Sequence, residues 1–343
     1  MTTTILDHGR LPWFRHQPSP DCPEPLAGPE TGRFFFRSSV RDKYLIRQDA
    51  QSFLYSWQVK PSMESYARSV PVVMYHHVSP SPGELSITPE HFESQMHWLA
   101  SNGYVTLTAD EFACFLHGAP MPEKSILLTF DDGYLDNYVH AHPCLARYGF
   151  NAIMFLVTGR VHDGPTRSFP GRAGSAERSH AECERLVLTG KADDVTVRWS
   201  EIDVMRAAGT FEFHSHTHYH LRWDRYCTDP DEKIHHIRTD IETSKRILIE
   251  KMGVASKHLC WPEGYYDKDH IDAARTAGFE YLYTTRNTRR NVPGSDPYRI
   301  HRMADNGKNG EWLAREVRQY QQPQWGGAYD WFKRLISANK MSG

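Results

Sequence analysis

The chain has 343 residues, 39% of them hydrophobic and 24% charged, the composition of a soluble globular protein with one large α/β domain plus extensions, or two modest domains. Forty basic residues against forty-two acidic ones leave a net charge of −2, so no global field recruits nucleic acid. Six cysteines without a CxxC pair argue against a zinc ribbon and a disulfide framework, and with no basic-then-apolar leader and no run near the ~18 apolar residues of a membrane span, the expected compartment is the cytoplasm.

Residues 1–69 read as an aromatic and proline-rich extension. Prolines cluster between Pro12 and Pro29, and Phe53, Tyr55 and Trp57 alternate as in a short strand. So many rings are costly to leave in water, which predicts that the extension packs on the main domain. From Pro71 to Val78 the sequence becomes a buried strand ending in His76 and His77. Thr88-Pro89 opens a helix with Phe92, Met96 and Leu99 on one face. Tyr104 to Leu107 reads as a strand, and Thr108 with Glu111 as the capping box of the next helix.

Ile126 to Leu128 then runs straight into Asp131, Asp132 and Gly133. A short apolar run before a turn signal predicts a strand covered on both faces, with two carboxylates at its C-terminal lip. By itself Asp-Asp-Gly is more often a surface turn. A helix follows from Tyr134 towards Gly149, kinked or broken at Pro143, and Asn151 to Val157 is the next buried strand. Strand, helix, strand at these lengths is the signature of a parallel sheet. Residues 158–197 interrupt the rhythm with a polar insertion, helical only near Ala181 to Leu188, of the kind that forms lids and binding loops.

The alternation resumes with a helix over Ser200 to Ala208 and a strand over Thr210 to Phe213. A long helix starts near Asp231, a strand covers Leu259 to Pro262, and Asp267 caps a helix ending at Gly278. Tyr281 to Thr284 and Arg299 to Met303 are further strands. Residues 306–343 read as a helical extension. Its segment Asp330 to Ile336 is apolar on one side and basic on the other, suited to docking as a terminal helix or to peripheral contact with an anionic membrane. Neither a dinucleotide nor a phosphate-loop fingerprint occurs.

Two adjacent carboxylates repel each other unless a cation or a shared proton intervenes. His214, His216, His218 and His220 follow a strand, and crowded neutral imidazoles gain most by sharing a cation. His216 and His220, four apart, would meet on one face of a helical turn. One aspartate added to them makes a two-histidine, one-carboxylate site with open positions for water.

Thr129-Phe-Asp-Asp-Gly133 and Ser215-His-Thr-x-x-His220 resemble the first two motifs of the NodB-homology polysaccharide deacetylases, carbohydrate esterase family four. Met74-Tyr-His-His77 and Trp261-Pro-Glu-Gly264 are similar to the branch that includes poly-N-acetylglucosamine deacetylases. The resemblance covers residues 70–305 and implies a distorted (β/α)7-type barrel. It makes Asp131 the general base, and Asp132, His216 and His220 the ligands of one divalent metal. Zn²⁺ comes first, with Co²⁺, Ni²⁺, Mn²⁺ or Fe²⁺ as substitutes. A backbone N–H of the Pro262–Gly264 turn would help hold the oxyanion, with Trp261, Glu263, Gly264, Tyr75 and His76 around the substrate.

Two departures stand out. Cys260 to Glu263 lacks the arginine and tyrosine of the family's third motif, so Arg299 or Arg302 is expected to orient Asp131. The last motif, Leu-x-His, is represented only by Arg299-Ile-His301, which makes His301 the expected acid for the leaving amine, with His76 or His77 in reserve. Glu263 could instead meet a substrate amine. The expected function is metal-dependent removal of an N-acetyl group from a carbohydrate such as a nucleotide- or lipid-linked sugar or a glycoside. The alternatives are an amide or imide hydrolase on a small non-sugar compound, and a carbohydrate-binding protein with a decayed site.

Overall fold

A computed structural model describes residues 66–81, 83–168, 178–254, 256–287 and 290–321. The strand expected around Phe53 to Trp57 and the amphipathic segment at Asp330 to Ile336 lie outside them. The main strands are β1 (Val72–Tyr75), β5 (Ser125–Phe130), β6 (Ala152–Leu156), β7 (Phe211–Ser215), β8 (His258–Cys260), β9 (Tyr281–Tyr283) and β10 (Met303–Ala304). They pair in the order β10-β1-β5-β6-β7-β8-β9, every neighbour parallel. β1, β5 and β6 are buried at every position, the reason they read as unbroken apolar runs: helices cover one face and the barrel interior the other. A parallel bridge from Tyr283 to Ile300 and the pairing of β10 with β1 lead the last strand back to the first. The result is a curled, distorted (β/α)7-type barrel, as expected.

Shorter elements fill the connections. β2 (His77–Val78) pairs with β3 (Ser86–Ile87), and β4 (Val105–Thr106) lies beside β5. Helix α1 (Pro89–Ser101) begins at Thr88, whose hydroxyl accepts the His91 N–H. Helix α2 (Ala109–Leu116) begins at the reciprocal Thr108/Glu111 capping box. The single helix expected from Tyr134 is divided. A π-helical turn over Asn137–Ala141 precedes α3 (His142–Tyr148), because Pro143 has no N–H to continue a regular ladder. Within the polar insertion, α4 (His180–Leu188) is capped by Ser179.

After α5 (Trp199–Ala207), β7 and the short α6 (Trp223–Tyr226), α7 (Pro230–Met252) buries Ile237, Ile241 and Leu248. α8 (Lys268–Thr276) is capped by Asp267 as expected. α9 (Gly310–Gln321) packs on α1 and buries Leu313, Val317 and Tyr320. No helix among the described residues is long and apolar enough to cross a membrane. Cys144, Cys183, Cys227 and Cys260 are free thiols. Cys114 is disulfide-bonded, a local departure from the all-thiol expectation.

Candidate active site

The C-terminal tips of β1, β5, β7 and β8 converge on one group of polar side chains. β5 ends at Phe130, and the chain then turns sharply: the Gly133 N–H donates to the Asp131 carbonyl at 2.9 Å. Asp132 stands at φ +71° and Gly133 at φ +75°, backbone that costs a non-glycine residue about 1 kcal/mol or more. At Gly133 a Cβ would also come within 2.8 Å of Leu156, so the turn requires glycine there. The strain at Asp132 aims two neighbouring carboxylates in different directions.

Asp132 faces the histidines. Its Oδ1 lies 3.3 Å from Nε2 of His220 and 3.7 Å from Nε2 of His216, and the three ligand atoms lie within 4.8 Å of one another. These two rings do not meet on a helix. Positive φ at Thr217 (+66°) and His220 (+56°) curls the loop after β7, and the Thr217 hydroxyl accepts the His220 N–H at 3.1 Å. Asp240 of α7 fixes that loop, accepting the N–H groups of His218 (2.5 Å) and Tyr219 (2.9 Å) on one oxygen and the Trp223 indole (2.8 Å) on the other. Sequence reasoning missed Asp240. Its signal was a lone carboxylate on the apolar face of α7, beside Ile237 and Ile241.

The electrostatics fit a divalent cation. His216 Nδ1 lies 2.8 Å from the Cys260 carbonyl, which accepts a proton only from Nδ1–H, so Nε2 is a bare lone pair. Burial first, against the pull of Asp132, lowers the His220 pKa to about 4, so that ring is neutral as a ligand must be. Asp132 Oδ1 is buried without a hydrogen-bond partner among the described residues. Burial pushes its carboxyl up, but the pull of His220 and His216 more than reverses this and leaves it well below the usual carboxylate range. Three converging lone pairs with no proton among them are what a cation requires.

Asp131, Cys260 and His216 also lie within 4.8 Å of one another, but they compete poorly for a cation. Both Asp131 oxygens accept from Arg302 at 2.7 Å, and burial first pushes the Cys260 thiol well up.

Of the two arginines expected to orient Asp131, Arg302 does so. Fully buried, it also donates to the Thr284 carbonyl at 2.9 Å and to Thr129 Oγ1 at 3.2 Å. Burial raises the Asp131 carboxyl, and the guanidinium's charge and hydrogen bonds more than reverse this, leaving it below the usual range. Arg299 instead pairs with Asp296 at the surface.

His301 bonds the Arg286 carbonyl at 3.1 Å. It precedes Arg302 in an extended segment, where consecutive side chains face opposite ways, so the arginine that reaches Asp131 turns His301 elsewhere. Of the acid candidates, His76 lies at the site, with Nε2 3.8 Å from Asp131 Oδ2. Burial first lowers its pKa, against the raising pull of Asp131.

Three other expected positions are changed. Tyr75 is fully buried on the outer face of β1, stacked on Phe130 with its hydroxyl 2.5 Å from Gln95. The Gly264 N–H donates to the Trp261 carbonyl at 2.9 Å, so that amide is already occupied. Gly264 is needed for another reason: at φ +66° a Cβ would come within 2.5 Å of the Thr285 nitrogen. Glu263, at φ +53°, pairs with Arg222 (3.0 Å) and Arg225 (2.9 Å). Trp261 is buried against Ile237 and Ile241, its indole nitrogen unpartnered among the described residues. His214 and His218 point away, bonding Ser256 (2.9 Å) and Thr158 (3.0 Å).

Residues 118–282 match the polysaccharide deacetylase family. The putative polysaccharide deacetylase YxkH of Bacillus subtilis is 45% identical over 217 residues, 63% of this chain and 64% of its own length. The chain thus spans a little under two thirds of that relative. The poly-beta-1,6-N-acetyl-D-glucosamine N-deacetylase of Staphylococcus epidermidis is 27% identical over 67% of this chain and 72% of the relative. Among solved structures, the Streptococcus pyogenes deacetylase PplD in complex with acetate matches with a TM-score of 0.57 and 20% identity. It covers 76% of this chain and 100% of that one, a likeness of fold.

Proposed function

We propose that the chain, whose residues 118–282 match the polysaccharide deacetylase family, is a metal-dependent hydrolase that removes the N-acetyl group from an acetamido sugar. One observation carries this reading: the lone pairs of Asp132, His216 and His220 converge while Asp131, one residue away, is clamped by Arg302 and kept out of that set. A decayed site would have lost a member of one group or the other. A divalent cation, Zn²⁺ by the donor set, held by those three side chains would acidify water and polarise the acetyl carbonyl.

The chain's own residues supply the proton chemistry. Asp131, ionised because Arg302 holds it so, takes the proton of the attacking water. His76 replaces His301 as the acid: it stands 3.8 Å from Asp131, close enough to pass a proton to the departing nitrogen. Its pKa is lowered by burial, so the ring starts neutral and the proton it gives the departing nitrogen is the one Asp131 took from water. Within the Pro262–Gly264 turn the Glu263 amide takes over from Gly264 as the oxyanion donor. The named activity of the Staphylococcus epidermidis relative supports a saccharide bearing N-acetylglucosamine as the substrate class.

The test is acetate release from an N-acetylglucosamine oligomer by the metal-loaded protein. Asp131→Asn should keep the metal and lose about 10²–10⁴-fold in turnover. Undiminished activity in that variant, or in protein stripped by a chelator, would overturn the assignment.

A further inference from the structure

The insertion between β6 and α5 brings polar groups to the site that the hydrolytic steps do not use. His77, fully buried beside His76, has its Nδ1 2.6 Å from Asp136 Oδ2 and its Nε2 3.2 Å from Nδ1 of His180, the first residue of α4. Tyr134 stacks on His77 at 3.8 Å and donates its hydroxyl to Glu184, one turn along α4, at 2.6 Å. Glu184 pairs with Arg160 at 2.8 Å, and Arg160 stands 3.5 Å from His220 Nδ1. The run passes from the strand tip that carries His76 round to the metal-ligand set. Its two ends flank the reaction centre: His77 follows His76, which stands 3.8 Å from Asp131, and Arg160 stands beside His220.

Asp136 anchors one end of this run: it lies against His77 Nδ1, and His77 Nε2 lies against His180 Nδ1, which the Tyr134 hydroxyl also approaches at 3.4 Å. Burial alone would lower the His77 pKa, and Asp136 more than offsets it; burial first, and then His77, lower that of His180. With Nδ1 engaged, the His180 nitrogen left over is Nε2. That nitrogen has no hydrogen-bond partner among the described residues, and the ring is only half-buried. A helix needs no such chain merely to dock, because Arg160 and Tyr134 already hold Glu184 and because buried polar groups are poorer glue than apolar ones.

We infer that His180 is a substrate-binding residue: Asp136 and His77 orient its ring so that Nε2 hydrogen-bonds a hydroxyl of the N-acetylated sugar, making α4 one wall of the saccharide cleft. The inference rests on the proposed deacetylase function and adds a residue that selects saccharides over simple acetyl compounds.

The experiment compares two substrates of the metal-loaded protein: a β-1,6-linked N-acetylglucosamine oligomer, and a small aryl acetate ester with no sugar hydroxyls. His180→Phe keeps the ring and loses both nitrogens. It should lower kcat/KM on the oligomer about tenfold, chiefly through KM, with metal content and ester hydrolysis unchanged. His180→Gln, which keeps a donor, should recover part of the loss. His77→Gln, which removes the orienting partner, should reproduce part of it. Equal losses on both substrates, or no loss on the oligomer, would overturn the role of His180. Wild-type protein that splits the ester and neither binds nor deacetylates any N-acetylhexosamine would sink the proposed function itself, and this inference with it.

Discussion

Replacing Arg302 by methionine removes the one guanidinium that both Asp131 oxygens use. The pair is buried on both sides, with Arg302 at 0% and Asp131 at 1% exposure. Methionine fills most of the volume but donates nothing, so a buried carboxylate is stranded and the Thr284 carbonyl loses its 2.9 Å donor. Removing one partner of a buried pair costs about 3–5 kcal/mol, and an orphaned buried carbonyl about 1–3 more. The sum of roughly 4–8 kcal/mol is a large share of the ~5–15 kcal/mol that stabilises a typical domain. Urea denaturation of R302M should therefore show a much lower midpoint. The sharper measurement is a double-mutant cycle with D131N, whose neutral amide needs no counter-charge. In the R302M background D131N should restore about 2–3 kcal/mol, whereas alone it should destabilise. Activity gives a second readout. Without the cation the Asp131 pKa rises, so the acid limb of kcat/KM should move to higher pH in R302M. A coupling energy under about 1 kcal/mol, with the acid limb unmoved, would refute the claim that Arg302 sets the state of Asp131.

Other outcomes follow from the same geometry. His216→Ala should fold and lose bound metal, since one of three converging lone pairs is gone; metal analysis after gel filtration checks this, and full retention would mean that another ligand set holds the ion. Asp240→Ala orphans two backbone N–H groups and an indole that shape the His216–His220 loop. It should weaken metal affinity about 10–100-fold, as loss of outer supports does, measured by competition with a chelator. Asp305 is a buried carboxyl pushed up to about 6 by burial, only partly offset by backbone hydrogen bonds. A carboxyl with a higher pKa folded than unfolded binds its proton more tightly when folded, so stability falls as pH rises from about 4 to about 6 and stays lower above. At about 1.4 kcal/mol per pH unit the loss approaches 3 kcal/mol. Asp305→Asn should raise Tm at pH 8 and have little effect at pH 4; equal effects at the two pH values would count against it.

Local chemistry was legible in the chain. Capping at Thr88, Thr108 and Asp267 involves side chains and backbone a few residues apart, and strands buried on both faces show themselves as apolar runs whatever their order in the sheet. The convergence of Asp132, His216 and His220 was also readable, because motifs at two strand tips must meet at one end of a parallel barrel. Other assignments needed the fold. Arg302, Arg299 and His301 are within four positions of one another, and choosing among them depends on which side of β10 faces Asp131. That is fixed by the pairing of β10 with β1, a contact across some 230 residues of chain. The same holds for Asp240, an aspartate inside a helical stripe until α7 lies against the loop it pins. His180 likewise comes from an insertion whose polar composition conceals its place beside His77. Sequence alone determined which groups could ionise, cap or ligate, since those are properties of side chains and near neighbours. Only the tertiary structure decided which of them share a site, because long-range pairing sets the direction of each side chain and the water it excludes.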